Sequence, residues 1–169
     1  MFFERFSIEK NIEKSSIEKL KPTLELRTPI EGHNGHWEGE RGDSKWIPNK
    51  EEIPKCSNPE NKTWGEILEE HKIDGIEYKD GEPNFESKET VEIEDFTDSR
   101  AKNFDQADEK LAKKWDCSKE DVEKWRKENN YTWHECPDCK TMKLVSSEIH
   151  NNMPHDGGIS AYKNRNEVK

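Results

Sequence analysis

The sequence is poor in hydrophobic residues, which occupy 28% of its 169 positions, whereas charged residues occupy 39%. This balance is thin for a large core and leans toward partial disorder. Six tryptophans and six phenylalanines compensate in part, because each aromatic side chain buries a large area. The length indicates one domain, or one domain with a tail.

Long apolar runs are also missing. No segment approaches the roughly 18 consecutive apolar residues of a membrane-spanning helix. The first ten residues, MFFERFSIEK, lack an apolar run of signal-peptide length. Four cysteines are too few to suggest a disulfide scaffold. We therefore expect no readable secretion signal and no contact with a membrane.

Positive charge is scarce, and the formal net charge is −10. This argues against a polyanion-binding protein of the usual basic kind. However, residues 131–169 contain five basic and five acidic side chains. The whole excess of negative charge therefore lies in residues 1–130. A bound divalent cation would make the neutral C-terminal segment positive.

The chain divides into three predicted segments. Residues 1–30 are rich in lysine and glutamate, with apolar residues at loosely helical spacing, which predicts a linker or mobile helix. Residues 31–130 are predicted to form a mixed α/β supporting region. Within it, the Gly-, Pro- and Asn-rich stretch 31–62 is predicted to be loop, and His33 and His36 are interpreted as loop residues.

The remainder of the supporting region contains clearer signals. A capping box from Thr63 to Glu66 predicts a helix, on whose inner face His71 is a packing residue rather than a ligand. Strands are predicted over 76–78 and 91–96. Two further helices are predicted, one starting at Asp98 or Ser99 and one capped by Ser118.

The stretch 131–158, YTWHECPDCKTMKLVSSEIHNNMPHDGG, concentrates the chemistry of the chain. It holds three of the six histidines and two of the four cysteines, and these side chains bind transition metals. Its pattern predicts a strand, a turn at Pro137-Asp138 and a return strand. Ser146 or Ser147 is then predicted to cap a short helix that ends before Pro154. The predicted order is a hairpin followed by a helix.

This stretch resembles the HNH/endonuclease VII nuclease superfamily, in the branch with a Trp-His-Glu or Trp-His-His signature. Such domains commonly form the C-termini of bacterial polymorphic toxins. The residues that carry the resemblance are Trp133-His134-Glu135, Thr141 to Val145, Ile149-His150 and His155 to Gly158. The runs Gly35 to Gly42, Trp46 to Pro48 and Asn58 to Trp64 extend it to about residues 35–163.

The resemblance implies an α+β fold in which residues 131–169 form an HNH-like ββα-metal core. It implies a metal-dependent endonuclease that hydrolyses phosphodiester bonds, with DNA the favoured substrate and RNA the alternative. The cofactor would be one divalent ion, Mg²⁺, Mn²⁺, Ni²⁺ or Zn²⁺. A toxin of this kind acts in the cytoplasm of a target cell, and the resemblance also implies a cognate immunity protein.

Residue roles follow from the same resemblance. His134 and Glu135 take the catalytic positions, and His150 and His155 hold the metal. Relatives often have two adjacent histidines at positions 134 and 135, so either His134 is the base with Glu135 in support, or His134 is a ligand and Glu135 the base. The first assignment is favoured here, since a neutral imidazole suits a base near pH 7.

Four further residues belong to this expected site. Asn151 and Asn152 are adjacent candidates for the middle asparagine of the HNH pattern. In an acidic chain the phosphates must be held locally, and Lys140 and Lys143 are the expected phosphate-binding groups.

An alternative is a structural zinc module without catalysis. Cys136, Cys139, His150 and His155 give the spacing C-x2-C-x10-H-x4-H. This resembles a zinc finger, although its middle segment is shorter than the usual 12–15 residues. Pro154 also precedes the last histidine where that fold requires helix, and the Trp-His-Glu run would have no role.

Overall fold

The structure, a computed structural model, describes residues 27–167. The helix predicted in the N-terminal segment falls before these residues and lies outside the described part. Strands and helices are mixed along the chain, which confirms the predicted α+β class. The elements are β1 (Gly35–Trp37), β2 (Lys45–Pro48), α1 (Trp64–Glu70), β3 (Ile76–Lys79), β4 (Glu82–Pro83), β5 (Glu89–Glu92), α2 (Arg100–Trp115), α3 (Lys119–Glu128), β6 (Tyr131–Glu135), β7 (Thr141–Ser146), α4 (Ser147–His150) and α5 (Gly158–Glu167).

The strands form two antiparallel sheets. The first has the order β1-β2-β3-β4, and the second has the order β5-β7-β6. In the second sheet His134 lies opposite Lys143 in the β6–β7 hairpin, while Val91 of β5 lies opposite Met142. Strand β5 therefore extends the hairpin into a three-stranded sheet.

The prediction of loop for residues 31–62 was wrong where β1 and β2 form. These strands have three and four residues, too short for an alternating pattern to stand out among the surrounding Gly, Pro and Asn. They form because Trp37 and Trp46 are buried, with ring centroids 5.3 Å apart. Gly35 permits the close pairing, since a β-carbon there would lie 2.3 Å from the carbonyl oxygen of Ile47.

The helix starts are confirmed by their caps. The Thr63 hydroxyl accepts from the Glu66 amide, and the Glu66 carboxylate accepts from the Thr63 amide, which completes the capping box. Ser99 caps α2. Ser118 caps α3 in a second capping box, in which its hydroxyl accepts from the Asp121 amide and the Asp121 carboxylate accepts from the Ser118 amide. The strand expected over 91–96 instead covers 89–92, because the chain beyond it turns into the start of α2.

The hairpin separates two hydrophobic cores. Alternation along the strands sends Trp133 and Leu144 toward α2 and α3, while Val145 belongs to the core built on the first sheet. Ile149 and Met153, which follow the hairpin, belong to the same core as Val145. His134 is therefore carried by a strand that is packed on both sides.

A buried ion pair fixes the hairpin to the helices beneath it. Arg126 of α3 donates two hydrogen bonds to Asp108 of α2, at 2.7 and 2.6 Å, and both side chains are less than a tenth exposed. The indole N–H of Trp133 donates to the same carboxylate at 2.7 Å. Asp108 thus connects α2, α3 and β6, immediately before His134.

Replacing Asp108 should therefore destabilise the whole domain. Asp108→Ala leaves the Arg126 charge buried without its partner, which costs about 3–5 kcal/mol. The free energy of unfolding from urea denaturation measures this loss. Asp105→Ala is the matched control, because Asp105 lies on the same helix and pairs with Lys119 at the surface. Equal stability of the two variants would contradict the structural role of Asp108.

Candidate metal centre

Three imidazoles converge at the end of the hairpin. His134 lies on β6, His150 ends α4, and His155 lies in the loop between α4 and α5. One ring nitrogen from each lies within 4.8 Å of the other two. Three imidazole ligands with a fourth position left for water or substrate are typical of catalytic metal centres. The donor set and its geometry therefore fit a single transition-metal ion.

Local structure brings the three side chains together. Trp133 and His134 are neighbours on a strand, so burial of Trp133 against the helices turns His134 to the opposite face. Helix α4 starts directly after β7 and is only four residues long, which places His150 beside β6. Burial of Met153 in the core of the first sheet anchors the loop that carries His155.

Hydrogen bonds orient two of the rings. His155 donates from Nδ1 to the carbonyl oxygen of Met153 at 2.7 Å. His150 Nδ1 lies 2.9 Å from the Asn151 amide oxygen, and the Asn151 amide nitrogen lies 2.7 Å from the Ser57 hydroxyl. Both rings therefore carry their proton on Nδ1 and present the Nε2 lone pair for ligation. His150 Nε2 lies 3.2 Å from His134 Nδ1.

Phe85 packs against all three imidazoles. Its ring centroid lies 5.1 Å from those of His134 and His150 and 5.3 Å from that of His155. Burial, with repulsion between the rings as a smaller cause, lowers the pKa of His134 to about 2. Burial likewise lowers the pKa of His150 to about 4 and lowers the pKa of His155. The rings are therefore neutral near pH 7, which is the form that binds metals.

Glu135 lies on the other face of β6 from His134. Its buried carboxylate accepts from Asn103 at 2.7 Å and from Arg100 at 3.2 Å, both on α2. The positive charge of Arg100 in turn helps to lower the pKa values of His150 and His155, although burial is the main cause. Glu135 thus holds a guanidinium whose charge is felt at the triad, and it is not itself among the converging groups.

The two asparagines have different positions. Asn151 contacts the His150 ring directly, as described above. Asn152 instead exchanges hydrogen bonds with the Cys56 backbone, at 3.0 Å to the amide and 2.7 Å to the carbonyl. Asn152 therefore joins the loop around Cys56 to the end of α4.

The two lysines also differ. Lys143 lies opposite His134 in the hairpin, and its charge contributes to the lowered pKa of that ring. Its ammonium donates to Asn84 at 3.2 Å. Lys140 is more than half exposed, and its ammonium lies 3.8 Å from Glu92, on the far side of the turn. Lys143 is the lysine closer to the triad.

The cysteines do not assemble a zinc finger. His150 and His155 converge with His134, and no cysteine of residues 27–167 belongs to a cluster of three or more metal-ligating side chains. Burial raises the pKa of Cys136 to about 11 and raises that of Cys139. Cys139 donates weakly to the carbonyl oxygens of Pro137 and Gly158, which places its thiol in the packing of the hairpin turn.

Sequence reasoning identified the three histidines but missed Phe85 and Arg100. Neither stands in a recognisable motif, because Phe85 lies in an irregular segment before β5 and Arg100 is the first residue of a helix 34 positions before His134. Only the tertiary contacts bring them to the site. In the sequence, the run Pro83-Asn84-Phe85 predicts only a loop that contains one apolar residue.

Residues 75–157 match the family model of the DNase/tRNase domain of colicin-like bacteriocins. The matched segment is just under half of the chain, and it includes all three histidines of the triad, Phe85 and Arg100. No curated protein matches the chain. None of the described helices combines the length and apolar character needed to cross a bilayer. The match supports a nuclease domain of a bacterial toxin, and therefore a hydrolase that acts on nucleic acid.

Glu82 is an acid beside this centre with an unusual environment. Its Oε1 lies 3.4 Å from the Gly157 amide, and its Oε2 is buried without a hydrogen-bond partner among the described residues. Burial, followed by the negative charge of Asp156, raises its pKa from 4.5 to about 7. Since the folded-state pKa is the higher one, stability falls as pH rises from about 4.5 through 7.

The substitution Glu82→Gln should remove this pH-dependent loss of folding stability. The variant should melt at a higher temperature than the wild type at pH 8, by about 2–4 °C for each kcal/mol gained, and at nearly the same temperature at pH 4.5. Thermal unfolding of the metal-free protein at both pH values measures the difference. The exposed Glu86→Gln is the control and should show none. A variant that melts lower than the wild type at pH 8 would contradict the assignment.

Proposed function

We propose that the chain is a metal-dependent endonuclease of the HNH type and the toxic effector domain of a bacterial competition toxin. The convergence of His134, His150 and His155 is the observation that carries the proposal. The match to colicin-like DNase/tRNase domains supports the same activity. DNA is the proposed substrate, with RNA the alternative, since both contain the same phosphodiester linkage.

In this proposal His134 is the third metal ligand rather than the base favoured from the sequence. Its Nδ1 lies 3.2 Å from His150 Nε2, and a ring nitrogen of each of the three histidines lies within 4.8 Å of the other two. A divalent cation held there would neutralise charge on the scissile phosphate and on the leaving oxygen. The metal could be Mg²⁺, Mn²⁺, Ni²⁺ or Zn²⁺, and three imidazoles favour a transition metal among them.

The chain's own cations then hold the substrate. Arg100 and Lys143 are cations whose charge is felt at the triad, and we propose that they bind the phosphate groups on either side of the cut. Glu135 fixes the guanidinium of Arg100, so its loss should act through that residue. Lys140, which lies at the hairpin turn, contributes positive charge toward the substrate at longer range.

The remaining assignments concern organisation and partners. Residues 131–169 are proposed to carry the ligands, with 31–130 as a supporting region that supplies Phe85 and Arg100. A cognate immunity protein is proposed to block the site in the producing cell. The domain would act in the cytoplasm of a target cell.

The activity is tested with purified protein, plasmid DNA and total RNA, each incubated with a divalent metal or with EDTA. Wild type should cut at least one nucleic acid with metal and neither with EDTA. His155→Ala should lower the rate by about 100-fold or more, because loss of a ligand releases the ion. His33→Ala is the control, since His33 is an exposed histidine paired with Glu52 outside the triad. Undiminished cutting by His155→Ala would refute the site.

The cysteines provide a separate prediction. The double variant Cys136→Ser, Cys139→Ser should keep most of the cutting rate and still bind one metal ion, because the thiols pack the turn and ligate nothing. Metal content by mass spectrometry and circular dichroism measure the two properties. Loss of zinc together with loss of folded structure would instead favour the structural zinc module.

A further inference from the structure

A cavity of about 240 Å³ lies beside the triad. It is bounded by the open end of the β6–β7 hairpin, by the segment just before β5 and by His71 at the end of α1. Phe85 lines this cavity and also contacts all three imidazoles. The cavity and the candidate metal centre therefore share one aromatic wall.

The lining is apolar inside and nearly neutral at its rim. Phe85, Val145 and Ile149 are at most 7% exposed and form the inner wall. The exposed Glu86 and Lys88 stand at the rim with opposite charges. Such a lining suits an uncharged group with apolar faces rather than a phosphate. The volume is below the roughly 300–1,000 Å³ of sites for larger ligands, so a single ring system fits.

Polar groups stand at the edge of the cavity. Ser146 occupies the N-cap position of α4, yet its hydroxyl makes no capping hydrogen bond. His71 is held in place by Glu148, with 3.1 Å between its Nε2 and the carboxylate. The Lys88 ammonium lies over the ring of Trp125, at 5.5 Å from its centroid. The Ser146 hydroxyl is thus open to the edge of a heterocycle, and His71 and Lys88 are held beside it.

The distance from the triad matches a neighbouring nucleotide. Tyr131, which borders the cavity, lies three residues before His134 on β6. At roughly 3.3 Å per residue this separation is about 10 Å along the strand. A phosphodiester held at the triad would therefore place the base of an adjacent nucleotide within reach of the cavity.

We propose that this cavity binds one unstacked nucleobase of the substrate strand, next to the linkage that is cut. The inference rests on the proposed nuclease function and deepens it by assigning a base-binding subsite. Aromatic walls commonly hold bases of single-stranded nucleic acid with little sequence preference. The cavity thus directs cleavage toward strands in which a base is free to leave the stack.

The test compares cleavage of short single-stranded oligonucleotides that carry one abasic residue at successive positions. In the wild type, an abasic residue at one fixed offset from a linkage should slow its cleavage by about 10-fold. Ser87→Trp, which adds bulk at the rim, should cut slowly whether or not that base is present. Thr90→Trp is the matched control, since either variant removes the hydrogen bond between the Ser87 and Thr90 hydroxyls.

Bis(p-nitrophenyl) phosphate, which lacks a nucleobase, reports on the metal centre alone. Both variants should hydrolyse it at the wild-type rate. Equal cleavage of intact and abasic strands at every offset would overturn the subsite, as would a Ser87→Trp variant that keeps the wild-type sensitivity to the abasic residue.

If neither this ester nor any nucleic acid is hydrolysed, the proposed function fails independently of the cavity. Titration with adenosine, followed by NMR, then tests the cavity itself. Amide shifts at Lys88 and Ser146 that are absent in Ser87→Trp would support a base-binding cavity, and their absence in the wild type would overturn it.

Discussion

The packing of three imidazoles against one phenylalanine is the constraint on which the site depends. Phe85 packs on His134, His150 and His155, and burial lowers the pKa of each ring, so the rings stay neutral and their lone pairs remain available. Without a metal, bringing three neutral nitrogens this close contributes little stability. The surrounding structure must therefore hold them, and both hydrophobic cores do so from opposite faces of the hairpin.

Buried charge completes this support. Asp108 joins Arg126 and Trp133 below the hairpin, while Glu135 joins Arg100 and Asn103 at its end. Both carboxylates lie on the face of β6 that is turned away from His134, which is also the face that carries Trp133. The strand thus separates structural anions from the candidate metal ligands, while the positive charge of Arg100 helps to lower the pKa values of His150 and His155.

Much of this arrangement could be predicted where the signal is local. The caps at Thr63, Ser99 and Ser118 each depend on a residue three positions further along, and the hairpin is specified by its own turn and alternation. The pairing of β1 with β2 could not be predicted, because it depends on contact between Trp37 and Trp46 across a glycine-rich loop. Phe85 and Arg100 were missed for the same reason, since only long-range packing brings them to the histidines. The orientation of Glu135 was foreseeable from strand alternation, but its partners on α2 were not.

The central claim is that these three histidines bind one metal ion together. Anomalous X-ray diffraction from crystals grown with Zn²⁺ or Mn²⁺ tests it directly. One peak is expected within about 2.0–2.3 Å of a ring nitrogen of each of His134, His150 and His155. A peak between Cys136 and Cys139, or none at the triad in a folded protein saturated with metal, would contradict it.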